Sequence, residues 1–216
     1  MSAAFAGISV ARGTHTWRRR GAMAQDAALV VVSALFFWLH LQLVLDGRLT
    51  SVFFAVEQGL LVFMFLTRRR SEVTSTRAGD WAAATLGGWL PLVMQPQTGV
   101  VGGLAGAGML LQVVGLSCTA IGFIYLGRSF GIVAANRGLK VGGPYRLVRH
   151  PIYFSHTITL TGFLVANFHP LNAALVAVIL TCQLLRIRAE ERVLTGSGSY
   201  ADYKAKVRWR LVPGLY

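Results

Sequence analysis

Apolar residues run along this chain in long blocks separated by short basic stretches. Block length is the first informative quantity. A helix needs about 20 apolar residues, usually about 17–25, to cross the hydrocarbon core of a bilayer. Six blocks are candidates: Ala27–Leu45, Thr50–Leu66, Trp81–Met94, Val100–Leu126, Pro151–Phe168 and Leu171–Ile187. The third is short and ends among Pro91 and Pro96, and the fourth is long and glycine-rich. The connections around Asp46-Gly47-Arg48 and Asn167-Phe168-His169-Pro170 are short, which predicts tight helical hairpins. The pattern predicts an all-α, polytopic integral membrane bundle of six transmembrane helices. In the fourth block Gly102-x-x-x-Gly106 fits close helix–helix packing. Trp81, Trp89, Phe36, Phe37 and Trp38 read as belt or lipid-facing aromatics.

Composition agrees with this pattern. Of 216 residues 54% are hydrophobic and 13% charged, against about 25% charged in a soluble domain. The net charge of +13 sits in clusters. Basic proteins often bind nucleic acid, but here long apolar runs separate the clusters. Anionic lipid headgroups are the expected neighbours, and no nucleic acid. If the N-terminus is inside, six spans put every Lys and Arg on the cytoplasmic side except Arg48. An odd number of spans would destroy that split, so both termini are expected in the cytoplasm by the positive-inside rule. A bacterial inner membrane fits this arrangement. Residues 1–25 carry Arg18, Arg19 and Arg20 among small residues and are expected to be a flexible basic cytoplasmic tail, with Met23 opening an alternative start. The apolar run after the arginines is long enough to span, so no signal peptide is read there.

Two inside segments carry chemistry. The first runs Gly127-Arg-Ser-Phe-Gly131, through Asn136, to Gly142-Gly-Pro-Tyr-Arg-Leu-Val-Arg-His-Pro-Ile-Tyr153. Pro151 fits the first position of a helix, where its missing N–H is harmless. His150 then falls at or near the cap. Arg146 and Arg149 stand beside free helix N–H groups, which makes an anion site at the membrane surface. The second segment runs Arg186-Ile-Arg-Ala-Glu-Glu-Arg192, then Gly198-Ser-Tyr-Ala-Asp-Tyr-Lys204 and Val207-Arg-Trp-Arg-Leu-Val-Pro213. Glu190 and Glu191 among arginines can be an interfacial salt-bridge cluster. Alternatively, one carboxylate binds the hydroxyls or ammonium of a polar ligand while an arginine faces the substrate. A hairpin of the fifth and sixth blocks brings His150, Tyr153, Glu190 and Glu191 to one face, and both readings stand.

Order and spacing add specificity. GPYRLVRHPIY, an apolar hairpin, RAEERVL and then YADYKAKVRWRLVP closely resemble the isoprenylcysteine carboxyl methyltransferase family, and the related phospholipid N-methyltransferases share the pattern. The resemblance covers roughly residues 120–216. It implies a membrane S-adenosylmethionine-dependent methyltransferase with a cytosolic C-terminal cofactor-binding region, enclosed by the last two helices and the tail. It divides the chain into the tail 1–25, four N-terminal transmembrane helices over 26–126 and a methyltransferase core over 127–216. By position it implies that Tyr145, His150, Pro151, Tyr153, Glu190, Glu191, Tyr200 and Tyr203 bind the cofactor. Arg149 and Arg188 would face the reacting group, with a late basic residue at Lys206 or Arg210. The chain departs from the family at Gly196-Ser-Gly-Ser199 and at Arg128-Ser-Phe-Gly131, which leaves the acceptor open.

An isoprenylcysteine-type carboxylate is the first expected acceptor, entering from the bilayer. A phospholipid amine or small thiol is the alternative on the same fold. An NADPH-dependent sterol-type reductase, with a similar C-terminal helical architecture, is the rival from another class. A non-enzymatic scaffold or transporter-like subunit is a further one. No GxGxG follows a strand, so a soluble Rossmann methyltransferase is not indicated. No cluster has metal spacing, and none is expected. Glu57, inside the second block, either lines an acceptor channel or is hydrogen-bonded within the bundle. Cys118 and Cys182 read as packed or lipid-facing thiols.

Overall fold

The computed structural model describes residues 12–47, 51–69, 71, 73–95, 103–196 and 198–216. Within them the regular secondary structure is helical apart from one short ladder. Helix α1 spans Arg12–Leu45, α2 Ser51–Thr67, α3 Ala78–Trp89, α4 Gly103–Leu126, α5 Pro151–Ala166, α6 Pro170–Thr195 and α7 Gly198–Lys206. Strands β1 (Val73–Thr74) and β2 (Ala135–Asn136) pair antiparallel, Val73 opposite Asn136. This ladder, unforeseen in the sequence, joins the α2–α3 and α4–α5 connections. The tail expected over residues 1–25 is helical from Arg12 onward. Residues 1–11, Arg48 and Gly102 lie outside the described residues.

Among the described residues three helical segments are long and apolar enough to cross a membrane: Ala27–Leu45, Leu104–Ser129 and Pro170–Thr195; Ala55–Thr67 is a shorter apolar helix. The third and fifth expected spans are shorter. α3 has 12 residues, extended by a 3-10 turn over Leu90–Val93, and α5 has 16. At 1.5 Å per residue α5 is about 24 Å long, while the 26 residues of α6 reach about 39 Å. α6 starts beside the end of α5 and therefore overshoots its base. That excess length carries Glu190 and Glu191 past the apolar run.

Pro punctuates both helix starts. Pro151 and Pro170 occupy the first turns of α5 and α6. The residue before a proline is pushed out of the helical region, and His150 sits at φ −128°, ψ 61°. Its imidazole makes no cap hydrogen bond, which leaves the ring available elsewhere.

The closest helix contact is α4 against α5. Its seam is made of glycines seven residues apart, Gly108, Gly115 and Gly122. A Cβ on Gly108 would stand 2.6 Å from the Gly162 carbonyl, one on Gly115 would collide with Thr159, and one on Gly122 would stand 2.7 Å from Ile152 Cγ1. Thr119 and Ser155 add a buried hydroxyl–hydroxyl hydrogen bond of 2.8 Å across the same seam. Of the predicted Gly102-x-x-x-Gly106 contact, the Gly106 part is corrected, because a Cβ on Gly106 meets nothing within 4 Å; Gly102 lies outside the described residues. The spacing of seven, two helical turns, selects the face that α5 approaches.

Gly115→Ala is therefore expected to force α4 from α5 and to destabilise the fold by about 1–3 kcal/mol, whereas Gly106→Ala leaves it unchanged. Thermal unfolding of both variants in detergent measures the difference.

Candidate active site

The base of α5, the end of α6 and the C-terminal segment converge on one carboxylate. Glu191 Oε1 accepts from Arg149 Nε at 2.9 Å, and its Oε2 accepts from Arg210 Nε at 3.0 Å and Nη2 at 2.8 Å. Arg149 is 7% exposed and Glu191 7%, so these ions depend on one another for compensation. Arg149 Nη1 also donates to the carbonyls of Val207 and Arg208, both at 2.8 Å. The backbone repeats the attachment: the Arg149 and His150 N–H groups donate to the carbonyls of Trp209 and Arg210, each at 2.9 Å. Tyr216 completes the turn, its hydroxyl accepting from Arg210 Nη1 at 3.1 Å.

His150 lies between the two glutamates, with Nε2 3.4 Å from Glu191 Oε1 and Nδ1 3.7 Å from Glu190 Oε2. The Tyr153 hydroxyl donates to Glu190 Oε1. Tyr203 donates to the carbonyl of Tyr145 at 2.7 Å, tying α7 to the 3-10 turn Gly143–Arg146. Gly143 in that turn has φ +56°, a conformation glycine accepts without strain. Tyr200, Tyr203 and Val207 form a small apolar core with Leu139 and Leu194. Burial pushes the Tyr203 phenol up to about 12. Burial also raises Tyr145 and Tyr200, helped by the charges of Glu190 and Glu191 respectively. All three phenols stay protonated at neutral pH and can donate.

These residues close one end of a cavity of about 750 Å³. Tyr145, Arg149, His150, Tyr153, Glu190, Tyr200 and Tyr203 all reach its wall. Its other end runs between α1, α2, α4 and α5, where Leu61, Phe65, Leu116, Phe123 and Leu160 line it. Glu57 is on that wall with Gln58 and His40.

Three predicted site residues stand elsewhere. Glu191 is behind the wall, occupied by two arginines. Pro151 is the buried first residue of α5. Arg188 is exposed and off the wall, whereas Arg186 is on it. The physical reason is helical phase. Positions 183, 186 and 190 of α6 share a face, and position 188 is turned about 200° from 186 at about 100° per residue. The i, i+4 spacing of Arg186 and Glu190 was the available signal. Cys118 is exposed and Cys182 buried, as read.

Residues 98–198 match the model of the phospholipid methyltransferase family. The match takes in α4, α5 and α6 with Arg149, His150, Tyr153, Glu190 and Glu191, and it stops before Tyr200, Tyr203 and Arg210. No curated protein matches the chain. The protein is a membrane methyltransferase.

Removing the charge of Glu191 strands Arg149 in a buried setting. Glu191→Gln is expected to cost about 3–5 kcal/mol and to raise amide exchange across residues 207–216. Glu190→Gln should cost much less, since the Glu190 side chain is 25% exposed against 8% for Glu191. Denaturant titration and hydrogen exchange read the two outcomes.

Proposed function

We propose that this protein transfers a methyl group from S-adenosylmethionine to a lipophilic acceptor that enters from the bilayer. The observation that carries the reading is a cavity that is polar at the α5–α6 base and apolar between the helices. Its polar end fits such a donor: a carboxylate, an imidazole and three protonated phenols can hold an ammonium, a ribose and an adenine. Glu190, His150, Tyr145, Tyr200 and Tyr203 would hold it. When bound, the donor supplies a methyl on a sulfonium, which an acceptor lone pair takes while sulfur keeps the bonding electrons.

The chain's own work is alignment and exclusion of water. The segment 207–216, fastened through Arg149 and Glu191, closes the site from the water side. Arg149 therefore acts by positioning. A carboxylate acceptor needs no general base at neutral pH, only partial neutralisation, which a guanidinium suits. An isoprenylcysteine-type carboxylate remains the first acceptor in this reading. A phospholipid amine is the second, favoured by the family that matches residues 98–198.

The wider arrangement belongs to the same proposal: six spans, four of them over 26–126 ahead of a core over 127–216, with both termini and the site in the cytoplasm. The short α3 and α5 fit locally thinned bilayer or tilted neighbours. Reporter fusions after residues 47, 95 and 168 should report the outside, and fusions after 77, 140 and 216 the cytoplasm.

S-adenosylhomocysteine is expected to raise the melting temperature in detergent, while NADPH does not. Glu190→Gln should weaken that response at least about tenfold, the size expected for a lost charge-assisted hydrogen bond. Stabilisation by NADPH alone would favour a reductase and end the methyltransferase reading of the pocket.

A further inference from the structure

Resting on that reading, we propose that the cavity has a second polar pole, at Glu57, which takes amphiphiles whose tail ends in a hydroxyl or an amine that donates a hydrogen bond. This pole stands far from the methyl-donor end. Tyr125, near the end of α4, lies against the 3-10 turn of the site, since a Cβ on Gly143 would stand 2.5 Å from its ring. That end of α4 therefore marks the methyl-donor side. Gln112 is on the cavity wall too, about 20 Å back along α4 at 1.5 Å per residue. Helix α2 gives the same sense. Phe65 packs edge-on against Phe130, just past α4, with 5.1 Å between centroids. Glu57 lies about 12 Å from Phe65 along α2, toward the start of the helix.

The chemistry of the pole carries the inference. Glu57, Leu61 and Phe65 fall at intervals of four on one face of α2, and all three line the cavity. The carboxyl is thus the polar end of an apolar stripe. Glu57 and Gln58 are half-buried, and among the described residues neither has a hydrogen bond or an ion pair. Gln112 Nε2 donates to the Gly108 carbonyl of its own helix at 3.3 Å, which leaves its Oε1 to accept. The pole is therefore rich in acceptors. A carboxyl withdrawn from water without a partner is unfavourable, the more so at membrane depth. A purely apolar tail would leave that penalty in place, whereas a terminal hydroxyl or amine removes it by donating to Glu57. A guest held this way has a polar group at each end and an apolar middle against Leu116, Phe123 and Leu160. The cavity then selects for length as well as for polarity.

The test uses the full chain in dodecyl maltoside, an uncharged detergent. Hexadecanoate, ω-hydroxyhexadecanoate and ω-aminohexadecanoate differ only at the far end, and octanoate with ω-hydroxyoctanoate forms a pair too short to reach it. Affinity is read from saturable thermal stabilisation. Wild type should bind at least one long ω-substituted probe about tenfold or more tightly than hexadecanoate, and which one identifies the group that donates. The short pair should show no such difference. Glu57→Leu should abolish the preference while keeping the affinity for hexadecanoate. Glu57→Gln, which still accepts through its amide oxygen, should retain more of a hydroxyl preference than of an amine preference. The S-adenosylhomocysteine response should be unchanged in both variants. If Glu57→Leu does not fold, Glu57→Met replaces it. Equal affinity for substituted and unsubstituted probes in wild type, an undiminished preference in the apolar variant, or no saturable binding of any long probe overturns the proposal. A preference that depends on Glu57 without any S-adenosylhomocysteine response would sustain it and defeat the methyl-donor assignment instead.

Discussion

The functional end of the molecule depends on one buried ion cluster, Glu191 held between Arg149 and Arg210. It joins three parts of the chain that share no regular secondary structure: the start of α5, the end of α6 and the C-terminal segment. Each partner also uses its backbone, because the Arg149 and His150 N–H groups reach carbonyls of the same segment. Charge and main chain thus fix one geometry. A buried pair of this kind is poor at adding net stability and costly to break by halves. Its value here lies in placing Tyr153, His150 and Glu190 around a common opening.

Division of labour between the adjacent glutamates follows from this. Successive positions on a helix point about 100° apart, so one carboxylate turns toward the tail and the other toward the cavity. Glu191 is spent on architecture, while Glu190 remains with a phenol and an imidazole at the wall. Two identical side chains thereby have separate duties, set by phase on α6 alone.

Much of the fold was readable because it rests on block length. The apolar blocks coincide with α1 to α6, and the prolines mark the starts of α5 and α6. The site was readable in outline, since the RHPxY and twin-glutamate segments do meet. What sequence reasoning lacked was rotation. The placing of Arg188 at the site, when the structure turns it to the exposed face of α6, and the choice of Gly106 for a close contact that falls on Gly108, Gly115 and Gly122 instead, both lacked the knowledge of which face of a helix is turned inward. An evenly apolar helix gives little amphipathic signal to settle that. The β1–β2 ladder escaped because two-residue strands have no period to detect. The helical start at Arg12 was hidden by a composition of small and basic residues that reads equally as tail.

The glycine seam has a consequence for the shape of the lumen. Along α4 and α5 the two backbones come close at Gly108 and Gly115, leaving few side chains there that could change rotamer and yield space. On the opposite side α1 packs mainly on α2, so that wall rests on interleaved side chains, among them Leu29, Leu61 and Phe65. Close-packed interiors transmit strain rather than absorb it. Extra girth in a guest must then be met by the α1–α2 hairpin, which makes one flank of the bundle the anvil and the other the hinge.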